Sequence, residues 1–378
     1  MTPDESLDHK TMRMLERALD AGLAASPDDH ELLRIGYDAA SMLLNNRIVA
    51  PGRGFDHIDA DESLGASADT TYAALRAHPL TLALGARYAE HAGLADELQK
   101  LRRAIVEELG VITPVMRVRR NPELADDVFE LRINGDLVTT QSAVDPDALT
   151  TLVGDALRRN LHELLSREEV AELLNIARVE TPMVVQELIP NMLALGQLRQ
   201  VLQHLVREGV SIRNLSVILN ALADSAVYTK DPNALTEHVR AALGRRIRAA
   251  HESADGALNV IQLHPDTERV IQNAIALNET GQVLALDPST AAAIGRSFAK
   301  IRIPDAVVVA PSKLRRHVRT LLLATDPAVV VLGAGELESG SRTNVIGTID
   351  AGDLARPLPT ASDAPPSGND GDVGSMRW

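Results

Sequence analysis

The residues that could do chemistry in this sequence are few, and their spacing argues against most of it. Gly333, Ala334 and Gly335 follow an apolar run and have the small side chains that let a backbone approach a pyrophosphate. A dinucleotide fingerprint needs a third glycine and a following helix, and both are missing, so nucleotide binding is not expected here. His57, Asp59, Asp61 and Glu62 crowd possible ligands for a hard cation into six residues. They lie in a Gly-rich acidic stretch, where solvated charge is the better reading. His238, His251 and His264 lack the i, i+4 spacing that sets two imidazoles on one helix face, and read as surface or capping residues. Arg245, Arg246 and Arg248, and again Arg315, Arg316 and Arg319, form basic runs that suit a solvated face or an acidic partner. Phosphate-loop, zincin and hydrolase-elbow signatures are absent from the sequence. No cysteine is present, which removes disulfides, thiolate catalysis and cysteine-held metals. No catalytic site, cofactor or metal is therefore expected.

The elements that must position these residues change character along the chain. Residues 1–48 read as an acidic helical hairpin, with amphipathic runs 7–24 and 29–47, and 49–78 as a linker rich in Pro, Gly, Ser and Asp. Residues 79–165 suggest a small α/β lobe. Its parts are a strand from Pro79, a helix from Gly93 to Gly110 ending on its glycine, and a strand at 115–119. A hairpin follows, with strands 128–133 and 137–140 about Asn134–Gly135, whose residue types supply the positive φ of a type I′ turn. Residues 166–253 read as a helical bundle, opening on a capping box at Ser166 and Glu169 and continuing through helices 195–208, 211–226 and 233–251. In 254–354, strands at 258–263, 305–310, 328–332 and 344–349 alternate with helices at 265–278, 288–300 and 311–325, the pattern of a second α/β lobe. Residues 355–378 have the composition of a disordered tail. The fold class expected is a multidomain mixture of α+β and α/β parts.

Composition bounds the partners. The chain has 378 residues, 38 basic and 52 acidic, for a net charge of −14. Residues 1–70 alone hold 14 acidic against 6 basic residues, so the excess negative charge sits mostly at the ends. Aromatics make up 2% of the chain, too few for a stacking nucleic-acid surface, and the charge repels phosphate backbones and anionic lipid heads. No stretch approaches the ~18 apolar residues of a membrane helix and the first residues lack a signal-peptide core, so a soluble chain is expected, without a membrane span or a nucleic-acid partner.

Several phrases, in order, resemble one family. LRRAIVEELGVITPVMRVRRNPEL at 101–124, LLSREEVAELLN at 164–175, VVQELIP at 184–190, EGVSIRNLSVILNALA at 208–223, DPNALTEHVRAALGRRI at 231–247 and VVVAPSKLRRHVRTLL at 307–322 are similar to the cytoplasmic half of the FlhA, or FHIPEP, family of export-gate proteins. That family serves flagellar and injectisome type III secretion. The resemblance implies a non-enzymatic scaffold that forms a ring or docks on other export-apparatus proteins or secreted substrates. It also implies a cytoplasmic location beside a membrane-embedded secretion complex. A repurposed interaction or regulatory module of the same fold, with no part in export, is the alternative. Matched positions make Arg117, Arg119, Asn121, Glu187 and Arg213 candidate partner contacts, each with a salt bridge or cap inside the fold as the other reading, while Pro182, Pro190 and Ile212 suit helix starts and core. The family's membrane-spanning half is not matched. Between Thr140 and Asp145, where the family carries a further small subdomain that walls its chaperone-binding dimple, this chain has Gln141–Val144. Leu152 stands where the family has threonine, so the resemblance does not carry chaperone docking to this chain.

Overall fold

The computed structural model describes residues 78–352, apart from 90, 92, 279, 280 and 338–340. The expected hairpin at 1–48, the cluster at 57–62 and the tail at 355–378 lie outside the described residues, as does the linker except for its last residue. The chain is a mixed α/β protein that divides into two compact units between Ser216 and Val217.

In the first unit, strand β1 (Leu80–Leu84) is an apolar run and lies inside a four-stranded sheet. Helix α1 (Ala86–Ala89) and helix α2 (Leu94–Leu109) follow, then β2 (Arg117–Arg120), β3 (Val128–Ile133) and β4 (Asp136–Ser142). The sheet order is β2-β1-β3-β4, with β2 parallel to β1 and the other pairs antiparallel. Period-two alternation in β3 sends Phe129, Leu131 and Ile133 into the core, all at zero exposure. Asn134 and Gly135 take φ of 52° and 93°, the left-handed pair that the hairpin turn requires. The Tyr88 hydroxyl donates to the Ala143 carbonyl at 2.5 Å and ties α1 to the chain leaving β4. Arg102 on α2 donates to the Thr113 carbonyl at 2.8 Å and fixes the path toward β2.

The helical part begins with α3 (Pro146–Asn160), capped by the Asp145 carboxylate, which accepts from the Ala148 N–H at 2.7 Å. Helix α4 (Arg167–Glu180) opens on the expected capping box. The Ser166 hydroxyl accepts from the Glu168 and Glu169 N–H groups, and the Glu169 carboxylate accepts from the Ser166 N–H at 3.1 Å. Ser166→Ala should therefore cost about 1 kcal/mol, read as a lower denaturation midpoint with an unchanged slope. Helices α5 (Pro182–Glu187) and α6 (Leu195–Arg207) complete this part, and α7 (Leu215–Ala226) begins at the division between units.

The second unit continues with α8 (Pro232–Ala242) and α9 (Gly244–Ala249), then β5 (Leu258–Leu263), α10 (Pro265–Asn273), β6 (Ile275–Asn278), β7 (Gly281–Leu284), α11 (Pro288–Ile301), β8 (Val307–Ala310), α12 (Ser312–Leu322), β9 (Val331–Gly333) and β10 (Thr343–Ile349). Its main sheet, β10-β5-β8-β9, is parallel throughout. The core between sheet and helices is aliphatic apart from Phe298, with Ile261, Ile271, Ile294, Val308 and Val318 nearly or fully buried.

Several boundaries differ from expectation. The helix expected at 265–278 ends at Asn273, and Ile275–Asn278 pairs with Gly281–Leu284 as an antiparallel hairpin that was not foreseen. The helix expected from Ser211 starts at Leu215, because the Ile212 N–H donates to the Leu109 carbonyl at 2.9 Å and holds the preceding residues extended. The helix expected over 233–251 breaks at Leu243. A Cβ on Gly244 would sit 2.8 Å from the Glu336 carbonyl oxygen, so the chain there packs backbone to backbone. The strand expected at 115–119 is displaced to Arg117–Arg120, where its pairing with β1 begins.

Candidate interaction surface

The five residues singled out in the sequence fall on separate elements. Arg117 and Arg119 are exposed and alternate along β2, so both lie on one face of the sheet, with Arg120 exposed beside them. Asn121 is a turn-former: its N–H donates to the Leu84 carbonyl at 2.9 Å and its Oδ1 accepts from the Glu123 N–H at 3.1 Å. Arg213 is exposed, and its Nη1 donates to the Glu107 carbonyl at 2.7 Å, placing a cation at the C-terminal end of α2. Glu187 is exposed at the end of α5. Pro182 starts α5 and Ile212 is core, whereas Pro190 is exposed in the kinked turn Leu188–Met192 and is neither.

Gly110 joins Arg213 to α2. Its φ is +76°, and an added Cβ would lie 2.7 Å from the Arg213 main-chain nitrogen. Gly110→Ala therefore combines left-handed strain with a clash against backbone, and should cost about 1–3 kcal/mol, measured by chemical denaturation.

Near Glu187 the helices leave apolar surface uncovered. Ile176 and Val179 are 37% and 62% exposed, and their spacing of three residues puts them on one side of α4; Met183, 75% exposed, lies in the first turn of α5, beyond the non-helical Thr181. The opposite side of α4 is buried through Val170, Leu173, Leu174 and Ala177.

The second unit holds a polar centre that the sequence reading missed. Arg240 on α8 grips Glu336 with two hydrogen bonds, Nε to Oε1 and Nη2 to Oε2, each 2.9 Å, and the two side chains are 2% and 3% exposed. The Gly333 N–H also donates to Glu336 Oε1 at 3.0 Å, and the Gly335 N–H donates to Ser312 Oγ at 3.2 Å. The main-chain donors of the GlyAlaGly run thus serve the protein's own carboxylate and a hydroxyl. Arg315 is 1% exposed and makes a second bidentate pair with Glu237, at 2.7 and 2.5 Å, with Nε 3.9 Å from Glu336. This corrects the solvated-face reading of Arg315. It shares a face of α12 with Val318 and Leu322, three and seven residues on, both fully buried, and that spacing was the available signal.

Of the three histidines expected as surface or capping groups, His264 and His238 are so placed and His251 is not. His264 Nδ1 accepts from the Asp266 N–H at 3.3 Å at the start of α10, and His238 is exposed. His251 is half-buried, and burial, then the Arg240 charge, lower its pKa. Among the described residues no group of three His, Asp or Glu side chains is placed to hold a metal ion, and no helix is long and apolar enough to cross a membrane.

The geometry combines buried structural ion pairs with exposed apolar and basic side chains. The FHIPEP family profile matches residues 141–342, more than half of the sequence, and the chain belongs to the FHIPEP family. The flagellar biosynthesis protein FlhA of Bacillus subtilis is 28% identical over 313 residues, covering 68% of this chain and 46% of that protein. The invasion protein InvA of Salmonella typhimurium is 29% identical over 210 residues, covering 54% of this chain and 30% of that protein. The chain thus spans about half or less of the length of these relatives. Among solved structures, the nonameric SctV cytosolic domain of EPEC superposes with a TM-score of 0.66 at 22% identity, covering 72% of this chain and 98% of the other. That likeness bears on the fold.

Proposed function

We propose that this chain is a non-enzymatic component of a type III protein export apparatus, flagellar or injectisome-type, acting on its cytoplasmic side as a docking or oligomeric scaffold. Membership of the FHIPEP family carries the reading. The exposed apolar side chains of Ile176 and Val179 on α4 and Met183 on α5 support it, because a scaffold must present surface that its own fold does not bury. The names of the relatives, flagellar biosynthesis in one and invasion in the other, are compatible with either system. The partners on this reading are copies of itself, other export-apparatus proteins or secreted substrates. Arg117, Arg119, Asn121, Glu187 and Arg213 are kept as candidate contacts, and Asn121 and Arg213 would reach a partner only with capacity left over from the bonds described above. The lobes at 79–165, 166–253 and 254–354 are retained as the functional parts of this scaffold.

Light scattering across a concentration series tests the reading. The expected result is a solution mass that rises with concentration, or on mixing with purified export-apparatus proteins, and that falls back when Val179 and Met183 are both replaced by glutamate. A monomer at every concentration that captures no export-apparatus protein would overturn it and leave the repurposed interaction module.

A further inference from the structure

Among the described residues, strand β4 is the outer strand of the first sheet on the side away from β2, and its main chain decides what that edge offers. An antiparallel ladder alternates between residues whose main-chain groups face the neighbouring strand and residues whose groups face away. The Ala143 N–H donates to the Asp127 carbonyl at 2.9 Å, so Ala143 faces β3, and Gln141, opposite Phe129, does the same two residues earlier. The N–H and C=O groups of Thr140 and Ser142 are therefore directed outward. The register shift near Val138 ends this regular stretch. Sheets commonly guard such an edge with lysine or proline, and Asp136–Ser142 contains neither.

The charge around this edge is negative. Residues 125–147 hold six carboxylates, Asp126, Asp127, Glu130, Asp136, Asp145 and Asp147, against one cation, Arg132, which pairs with Glu130 at 3.1 Å. The Ser142 hydroxyl donates to Asp127 at 2.6 Å and is the main cause that holds its carboxyl below the usual range, with a smaller effect of the same sign from Arg87. Leu137 and Val144 expose apolar side chains on either side of the outward-facing stretch. We propose that the β4 edge takes up an extended basic segment of a partner protein as an added strand, bonded to the main chain of Thr140 and Ser142, with its cationic side chains set against Asp127 and Asp136. Charge selects this occupant. A second copy of β4, or an acidic segment, would bring carboxylates against carboxylates. The surface lies on different elements from the apolar side chains of α4 and α5, and it stands whether or not the chain serves export.

The test uses the full-length chain and the peptide (KV)4, alternating lysine and valine, with (EV)4 as its counterpart of opposite charge. Binding of (KV)4 should slow hydrogen exchange at the Thr140 and Ser142 amides by on the order of tenfold and leave Gln141, already bonded to β3, unchanged. The (EV)4 peptide should have no effect. Thr140→Pro removes an outward N–H that the ladder with β3 does not use, and should weaken (KV)4 binding by about tenfold. Asp127→Asn with Asp136→Asn should weaken it as well, whereas Asp224→Asn with Asp305→Asn, an equal change of charge in the second unit, should not. No binding of (KV)4, equal binding of (EV)4, full affinity in Thr140→Pro, or a loss of affinity shared by the second-unit pair would each overturn the proposal.

Discussion

Glu336→Gln is expected to destabilise the second unit by about 3–5 kcal/mol, the largest effect of any single substitution considered. Glutamine keeps the shape and one acceptor oxygen, but it leaves the Arg240 guanidinium, 2% exposed, without the carboxylate that it grips at two points. The second cation, Arg315, is 3.9 Å from the same carboxylate and keeps Glu237, so the loss should fall mainly on Arg240. Removing both members of the buried pair is a different experiment. Arg240→Met with Glu336→Leu removes the uncompensated charge along with its partner and should recover most of the lost stability. Urea denaturation of the two single variants and the double variant, followed through the second unit's transition, reads the coupling directly. A cost below about 1 kcal/mol for Glu336→Gln would show that the pair behaves as if solvated.

Acid should loosen the first unit well before its carboxylates titrate. Burial lowers the His162 pKa to about 4, helped by the charges of Arg207 and His204 and opposed by a hydrogen bond with the Arg159 backbone. An unfolded chain takes up the imidazole proton near pH 6.5, whereas the folded chain does not until about pH 4. Between those values the unfolded state binds more protons, so stability is full above about pH 6.5, falls as the pH drops, and levels near pH 4. The full shift corresponds to about 3 kcal/mol, and solvent screening of a half-buried ring reduces the expected loss to about 2 kcal/mol. In the second unit, His251 and His317 are lowered by burial first and then by neighbouring arginines, so they act in the same direction. Asp287, held at about 2 mainly by its hydrogen bond from Ser289, then from Thr290, titrates in a lower window and does not blur the result. His162→Gln should remove most of the pH dependence of the first unit between pH 6.5 and 4.5. A wild-type midpoint that stays flat over that interval would contradict the burial described for this ring.

What was legible in the sequence was local chemistry. The Asn134–Gly135 turn, the Ser166–Glu169 capping box and the left-handed Gly110 each follow from what one or two residue types can do, and each stands in the structure. The hairpin Ile275–Asn278 with Gly281–Leu284 was hidden because its first strand continues the apolar spacing of α10, so the helix pattern ran through it. Arg240 and Glu336 were illegible for another reason. They are 96 residues apart, and nothing in either local pattern names the other. Arg315 is legible from its place on the apolar stripe of α12, where position outweighs the charge that suggests exposure. Of the candidate contacts, Asn121 and Arg213 make hydrogen bonds within the first unit whose partners, such as the Leu84 and Glu107 carbonyls, depend on strand order and loop paths.

The order of the second sheet also constrains how the protein is made. β10, its last strand in sequence, lies beside β5, its first, and paired residues such as Asn259 and Asn344 are 85 residues apart. While the chain is being synthesised, β5, β8 and β9 can be present with one long side of β5 open to any other strand. Only when the residues up to Ile349 have emerged can that side close. The interval is a window of exposure for a sticky edge, and its length is fixed by translation speed and not by the stability of the finished fold.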